Sequence, residues 1–175
     1  MSAKQGDNRN KIKVKRICLY GVLCALCLVL GYIESLVNLS FIAPGVKIGI
    51  SNGVALILAA KGDIKGAFAV NITRIILSSL LFSSPFSLLF SLTGGIASLI
   101  VVSLVIRIKS VSVIGCSTLA GAVHNIFQII VAALILGVGV LWYLPILITA
   151  GAVTGMLVGV FSLLILKKVE TNRLF

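Results

Sequence analysis

Arg74 is the residue in this chain best placed to do chemistry. It lies about midway through an apolar stretch, with Asn71 three residues before it and Ser78 four residues after it. In a helix all three share one face. A guanidinium in hydrocarbon costs at least about 2.5 kcal/mol on insertion scales, so a partner charge or an anionic ligand is expected beside it. A second polar stripe lies midway along another apolar stretch, where His124 and Gln128 stand four residues apart and Asn125 is only slightly rotated from them. Asn52 interrupts a third stretch, and Glu34 and Lys47 stand at the edges of two.

In lipid, polar groups at this depth must face the protein interior or a cavity. One reading is a structural network, with Arg74 paired to Glu34 and His124 bonded to a backbone carbonyl. The reading favoured here is a cavity open to the outside that binds a polar or anionic ligand. Arg74 and Lys47 would then supply donors for a carboxylate or phosphate. Asn52, Asn71, Asn125 and Gln128 would set orientation, and Glu34 and His124 complete the candidate ligand-binding set. His124 can titrate near neutral pH, but no nucleophile stands beside it in sequence, so no catalytic residue is expected. One histidine does not make a metal site, and no GxxxxGK[ST] phosphate loop occurs. No cofactor is expected, and transport would have to draw its energy from a partner subunit or an ion gradient.

The elements that must hold these residues are membrane helices. Hydrophobic residues make up 59% of the 175 positions and charged residues 11%, against about 25% charge in a soluble domain. Six apolar stretches read as spans: about 17–33, 48–60, 64–82, 86–106, 111–136, and one running from the Trp142-Tyr143 interface pair to about Leu166. The second is short, so either its helix extends past Lys47 or the segment before it dips back into the protein. Pro44-Gly45, Ser83-Ser84-Pro85 and Gly137-Val138-Gly139 mark turns on one side.

Charge sets the orientation. Thirteen of the 15 basic residues fall at one set of ends: Lys4, Arg9, Lys11, Lys13, Lys15 and Arg16, then Lys61 and Lys65, Arg107 and Lys109, and Lys167, Lys168 and Arg173. Short loops rich in Lys and Arg stay inside, so both termini are expected in the cytoplasm. The expected organisation is all-α: a basic tail over 1–16, a six-helix membrane domain over 17–166 and a basic tail over 167–175. Residues 1–16 resemble the start of a signal peptide, but further spans follow and no convincing cleavage site is seen. The +11 charge flanks the spans instead of tiling one face, which points to anionic lipid and not to nucleic acid.

Small residues mark close helix packing. Gly151, Gly155 and Gly159 repeat every four residues, as do Gly45, Gly49 and Gly53, and Gly21 with Ala25 makes a smaller pair. Intramolecular packing is the expectation for each ridge, a docking face for a membrane partner the alternative. Cys18, Cys24, Cys27 and Cys116 lie in apolar segments and read as reduced packing residues. Cys24 and Cys27 share a face, but no companion metal ligands are near.

Several segments together resemble one bacterial family. They are Tyr32-Ile33-Glu34-Ser35-Leu36, the run from Pro44 to Asn52, Asn71-Ile72-Thr73-Arg74, Ser91-Leu92-Thr93-Gly94-Gly95, Gly121 to Gln128, and Tyr143-Leu144-Pro145. The chain resembles the membrane proteins called heptaprenyl diphosphate synthase component I, also known as the Gx transporter family, over about 20–167. The name implies an accessory subunit of polyprenyl diphosphate synthesis that works with a prenyl synthase subunit. Trans-prenyl synthases hold magnesium diphosphate with paired aspartate-rich motifs, and this chain has only the isolated Asp7 and Asp63. The six-helix layout is also similar to the substrate-binding S components of energy-coupling-factor transporters. Those bind substrate near the outer face, beneath the segment after the first helix, and pair with a transmembrane coupling subunit and cytoplasmic ATPases. The sequence-level conclusion is a substrate-binding transporter subunit of the bacterial cytoplasmic membrane, without its own ATPase, for a small anionic vitamin-, flavin- or isoprenoid-related compound. The prenyl-synthesis subunit is the alternative.

Overall fold

The computed structural model describes residues 2–36, 49–82, 85–108 and 110–171. Among these every regular element is helical: α1 (Ser2–Leu36), α2 (Ile50–Ala60), α3 (Ile64–Phe82), α4 (Pro85–Val105), α5 (Val113–Leu136), a 3-10 helix over Val138–Tyr143, and α6 (Leu144–Thr171). Five helical segments are long and apolar enough to cross a membrane: Asn10–Glu34, Ile64–Phe82, Pro85–Val105, Val113–Leu136 and Val138–Val169. Large apolar side chains such as Leu80, Leu134 and Phe161 cover the outside of the bundle, as a lipid-facing surface requires.

The turn chemistry of the sequence sets most helix ends. Ser112 accepts the backbone N–H of Gly115 at 3.0 Å and so caps α5. Gly137, at φ +94°, closes the same helix. Asp63 caps α3, accepting the Gly66 N–H at 3.0 Å, and it also receives the Tyr20 hydroxyl of α1. The tyrosine hydroxyl, together with the Gly66 N–H, holds the Asp63 carboxyl below the usual carboxylate range. A Cβ at Gly66 would stand 2.7 Å from the Tyr20 ring, so glycine is what lets this tie form.

α1 begins at Ser2, where the sequence reading placed a separate tail. It is about 52 Å long at 1.5 Å per residue, well beyond the roughly 30 Å hydrocarbon core. Lys and Arg are good helix formers, and extending an anchored helix costs far less than nucleating one.

α2 resolves the question of the short second span. Its helix starts at Ile50, after Gly49 at φ +77°, so it does not continue back past Lys47. Eleven residues cover only about 16 Å. Seven of them are buried, and α2 packs against α1, α3, α4 and α6. A helix too short to span is tolerated because protein, not lipid, surrounds most of its length. The main apolar core forms around it, from Val54, Ala55, Leu56, Leu58 and Ala59 with Cys24, Cys27, Ala67, Val70, Leu99, Val102 and Cys116. Three of the four cysteines are buried and Cys18 is exposed; all are free thiols.

The glycine ridge on α6 serves packing within the chain. Gly151 and Gly155 lie against Gly121 and Ser117 of α5, and Gly159 against Ile114. Gly53 of α2 lies against Ser162 and Val158 of α6. Gly49 is not part of a helical ridge, because it precedes α2 in the left-handed region, and Gly45 is outside the described residues. Gly21 has nothing within 4 Å of a built Cβ and, like Ala25, is exposed.

Candidate functional site

A cavity of about 150 Å³ runs along the inside of the bundle, with wall residues from all six α-helices. Seven of the eight candidates from the sequence line it: Glu34, Asn52, Asn71, Arg74, His124, Asn125 and Gln128. Lys47, the eighth, lies outside the described residues.

Arg74 is the centre of the polar wall. Its Nη1 donates to Ser51 Oγ at 2.7 Å, and its Nη2 donates to Asn52 Oδ1 at 2.7 Å and Asn71 Oδ1 at 2.8 Å. Its Nε is sealed from solvent with no hydrogen-bond partner among the described residues. All three acceptors are neutral. The structural-network reading expected a pairing with Glu34; among the described residues the guanidinium makes no hydrogen bond to that carboxylate, which acts on it as a nearby charge. The Glu34 carboxylate instead accepts the Gly49 N–H, just ahead of α2, where the positive end of the helix favours an anion. Ser78 lines the cavity but bonds back to Ile75 O at 3.2 Å within its own helix.

The other amides divide into spent and unspent groups. Asn71 Nδ2 donates to Gly95 O of α4 at 3.3 Å, and Asn125 Nδ2 to Leu147 O of α6 at 2.6 Å. Each ties its helix to a neighbour's backbone, which fixes the amide oxygen's direction as well. Gln128 also lines the cavity, and its amide makes no hydrogen bond among the described residues. His124 and Gln128 press on Gly94, where a Cβ would stand 2.8 Å from His124 O and 3.0 Å from Gln128 Cγ. At Gly95 a Cβ would meet Ile75 Cδ1 at 2.6 Å. The Gly94-Gly95 pair thus lets α4 lie close to both α3 and α5, which brings the two polar stripes to one void.

The sequence reading missed a set of hydroxyls: Ser51, Ser79, Ser91, Ser98, Ser117 and Thr154 also line the cavity. Ser51 was within reach, since it adjoins Asn52 on a short span. The others carry no signal, because serine and threonine in apolar helices commonly bond back to their own backbone; Ser98 and Thr154 do so here.

The donor set does not suit a magnesium diphosphate. Such sites need several carboxylate oxygens, and Glu34 is the one carboxylate among the described lining residues. Among the described residues no group of three His, Cys, Asp or Glu side chains is arranged to hold a metal ion. What the arrangement can do is bind: one guanidinium, several amides and many hydroxyls face apolar patches from Leu56, Phe82, Leu99 and Val158.

Comparison with known proteins agrees with the segments that carried the resemblance. The family model described as heptaprenyl diphosphate synthase component I matches residues 23–165. No curated protein and no solved structure matches the chain. The matched span covers most of the chain and holds every described residue that lines the cavity; the chain belongs to the heptaprenyl diphosphate synthase component I family.

Proposed function

We propose that this chain is a membrane subunit of heptaprenyl diphosphate synthesis that leaves chain elongation to a partner prenyl synthase. The family match carries this reading. The donor set of the cavity supports the division of labour, because a single carboxylate beside one guanidinium is a poor cradle for magnesium diphosphate. The purified chain is expected to incorporate no labelled isopentenyl diphosphate by itself, and elongation is expected to appear when an aspartate-rich synthase subunit is added. Incorporation by the chain alone would overturn the reading.

A second reading rests on the cavity. An internal, hydroxyl- and amide-lined void shared by six helices is also what a substrate-binding subunit of a transporter requires. Its partners would be a transmembrane coupling subunit and cytoplasmic ATPases. Co-purification of these with the chain from its native membrane, in place of a prenyl synthase, would favour transport.

In either role we place the chain in the bacterial cytoplasmic membrane with six passes, α2 counted as the internal one, and with both termini in the cytoplasm. The asymmetry of Lys and Arg supports this orientation. In a Cys18→Ala background, a membrane-impermeant thiol reagent applied from outside is expected to label Gly139→Cys and to spare Ser110→Cys. The reverse pattern would invert the topology.

A further inference from the structure

We infer that the cavity takes a compact molecule presenting one carboxylate or carbonyl group to Arg74 beside an apolar body, and that it does not take a diphosphate. The inference deepens the reading of this void as a ligand site and depends on it.

Charge comes first. Arg74 and Glu34 are the one guanidinium and the one carboxylate among the described lining residues, so their formal charges cancel. Glu34 already meets the positive end of α2 through Gly49. An organic diphosphate brings about two or more negative charges near neutral pH. Against the one guanidinium among the described lining residues, most of that charge would be desolvated without a counter-ion there. One carboxylate, or a neutral carbonyl, leaves no such excess.

Donor count points the same way. Three N–H groups of Arg74 are spent on Ser51, Asn52 and Asn71. Of the five donors on the fork two are left, and one of these, Nε, is sealed within the protein. What remains of Arg74 suits one acceptor group and not the many oxygens of a diphosphate. The amide of Gln128, on α5, offers a ligand a further polar contact, beside the hydroxyls of the same wall. Between the stripes lie Leu56, Ile75, Leu99 and Val158, which an apolar body would touch.

Size is the third argument. A void of about 150 Å³ between the described walls is small beside a heptaprenyl chain, since sites for drug-sized ligands run to about 300–1,000 Å³. In the proposed synthesis, the growing prenyl diphosphate would then be handled elsewhere, and this cavity would answer to a different, smaller compound.

The test is a melting-temperature panel on the detergent-purified chain with five probes: benzoate, benzamide, hexanoate, inorganic diphosphate and isopentenyl diphosphate. At saturation, at least one of the first three is expected to raise the melting temperature by about 4 °C or more. The two diphosphates are expected to leave it unchanged. Gln128→Met removes an amide that supports no other side chain and should fold, yet it should lose at least half of the shift. Arg74→Met should lose all of it. A shift with either diphosphate that disappears in Gln128→Met would overturn the ligand class while leaving the cavity a binding site. Silence from all five probes would overturn the cavity as a ligand site altogether. Neither result would touch the elongation assay above, so the two proposals fail separately.

Discussion

Gly121→Ala is expected to lower the melting temperature of the purified chain more than any other single added methyl. A Cβ at position 121 would stand 2.2 Å from the carbonyl oxygen of Gly151 and 3.1 Å from the Gly155 Cα. The approach is mutual, since a Cβ at Gly151 would stand 2.5 Å from Gly121 O. A flexible side-chain tip could swing away from such a contact, whereas a helix backbone cannot. The only relief is for α5 and α6 to move apart along the most extensive helix interface in the bundle. Overpacking of this kind costs about 1–3 kcal/mol where a core can adjust, and a backbone contact belongs at the upper end. At about 2–4 °C per kcal/mol for a chain of this size, the drop should be plain in a thermal scan. The separation would also strain the Asn125 bond to Leu147 O. Gly21→Ala is the internal control. Nothing lies within 4 Å of a Cβ there, and alanine is the better helix former by up to about 1 kcal/mol. If the two variants melt alike, the close α5–α6 contact is not part of the folded protein.

The glycine spacing on α6 was legible in the sequence because small residues every four positions have few other uses in lipid. The partner face was less plain, since Ser117 and Gly121 on α5 make a single small pair four residues apart, without the third member that marks α6. The same division runs through the fold. Helices α3, α4 and α5 end within about two residues of the expected places, where Pro85, Ser112 and Gly137 punctuate apolar runs. The helical stretch from Ser2 to Arg16 was not readable as structure, because its charges show no apolar face and its order is borrowed from the span it extends. The burial of α2 was only half visible. Its length ruled out an ordinary crossing, but that it lies at the centre of the bundle follows from four neighbours that no local pattern encodes. For the cavity, rare polar residues in apolar runs picked out seven lining positions. Their bonding could not be read, because it depends on where Ser51, Asn52 and Asn71 meet in space.

That meeting point sets the last expectation, a double-mutant comparison around Arg74. Arg74→Met leaves Ser51 Oγ, Asn52 Oδ1 and Asn71 Oδ1 facing a thioether, and each loses a charge-assisted bond of 2.7–2.8 Å. Hydrogen bonds to charged groups contribute about 1.5–3 kcal/mol apiece, and their losses are not additive. A total destabilisation of about 3 kcal/mol or more is expected. Arg74→Lys should recover only part of it, because an ammonium is a compact point charge that lacks the planar fork needed to serve α2 and α3 together. Asn52→Ala removes one of the acceptors on α2, so its loss in the wild type should shrink sharply in the Arg74→Met background. Residues in contact show couplings of about 0.5–3 kcal/mol. Glu34→Gln should couple more weakly to Arg74→Met, since the guanidinium makes no hydrogen bond to that carboxylate and Glu34 serves Gly49. Urea or thermal unfolding of the single and double mutants in one detergent measures both couplings. A large coupling to Glu34 with none to Asn52 would restore the ion-pair reading and remove α2 as the helix that holds Arg74. The expected order makes Arg74 the bolt between α2 and α3, set in the wall of the cavity.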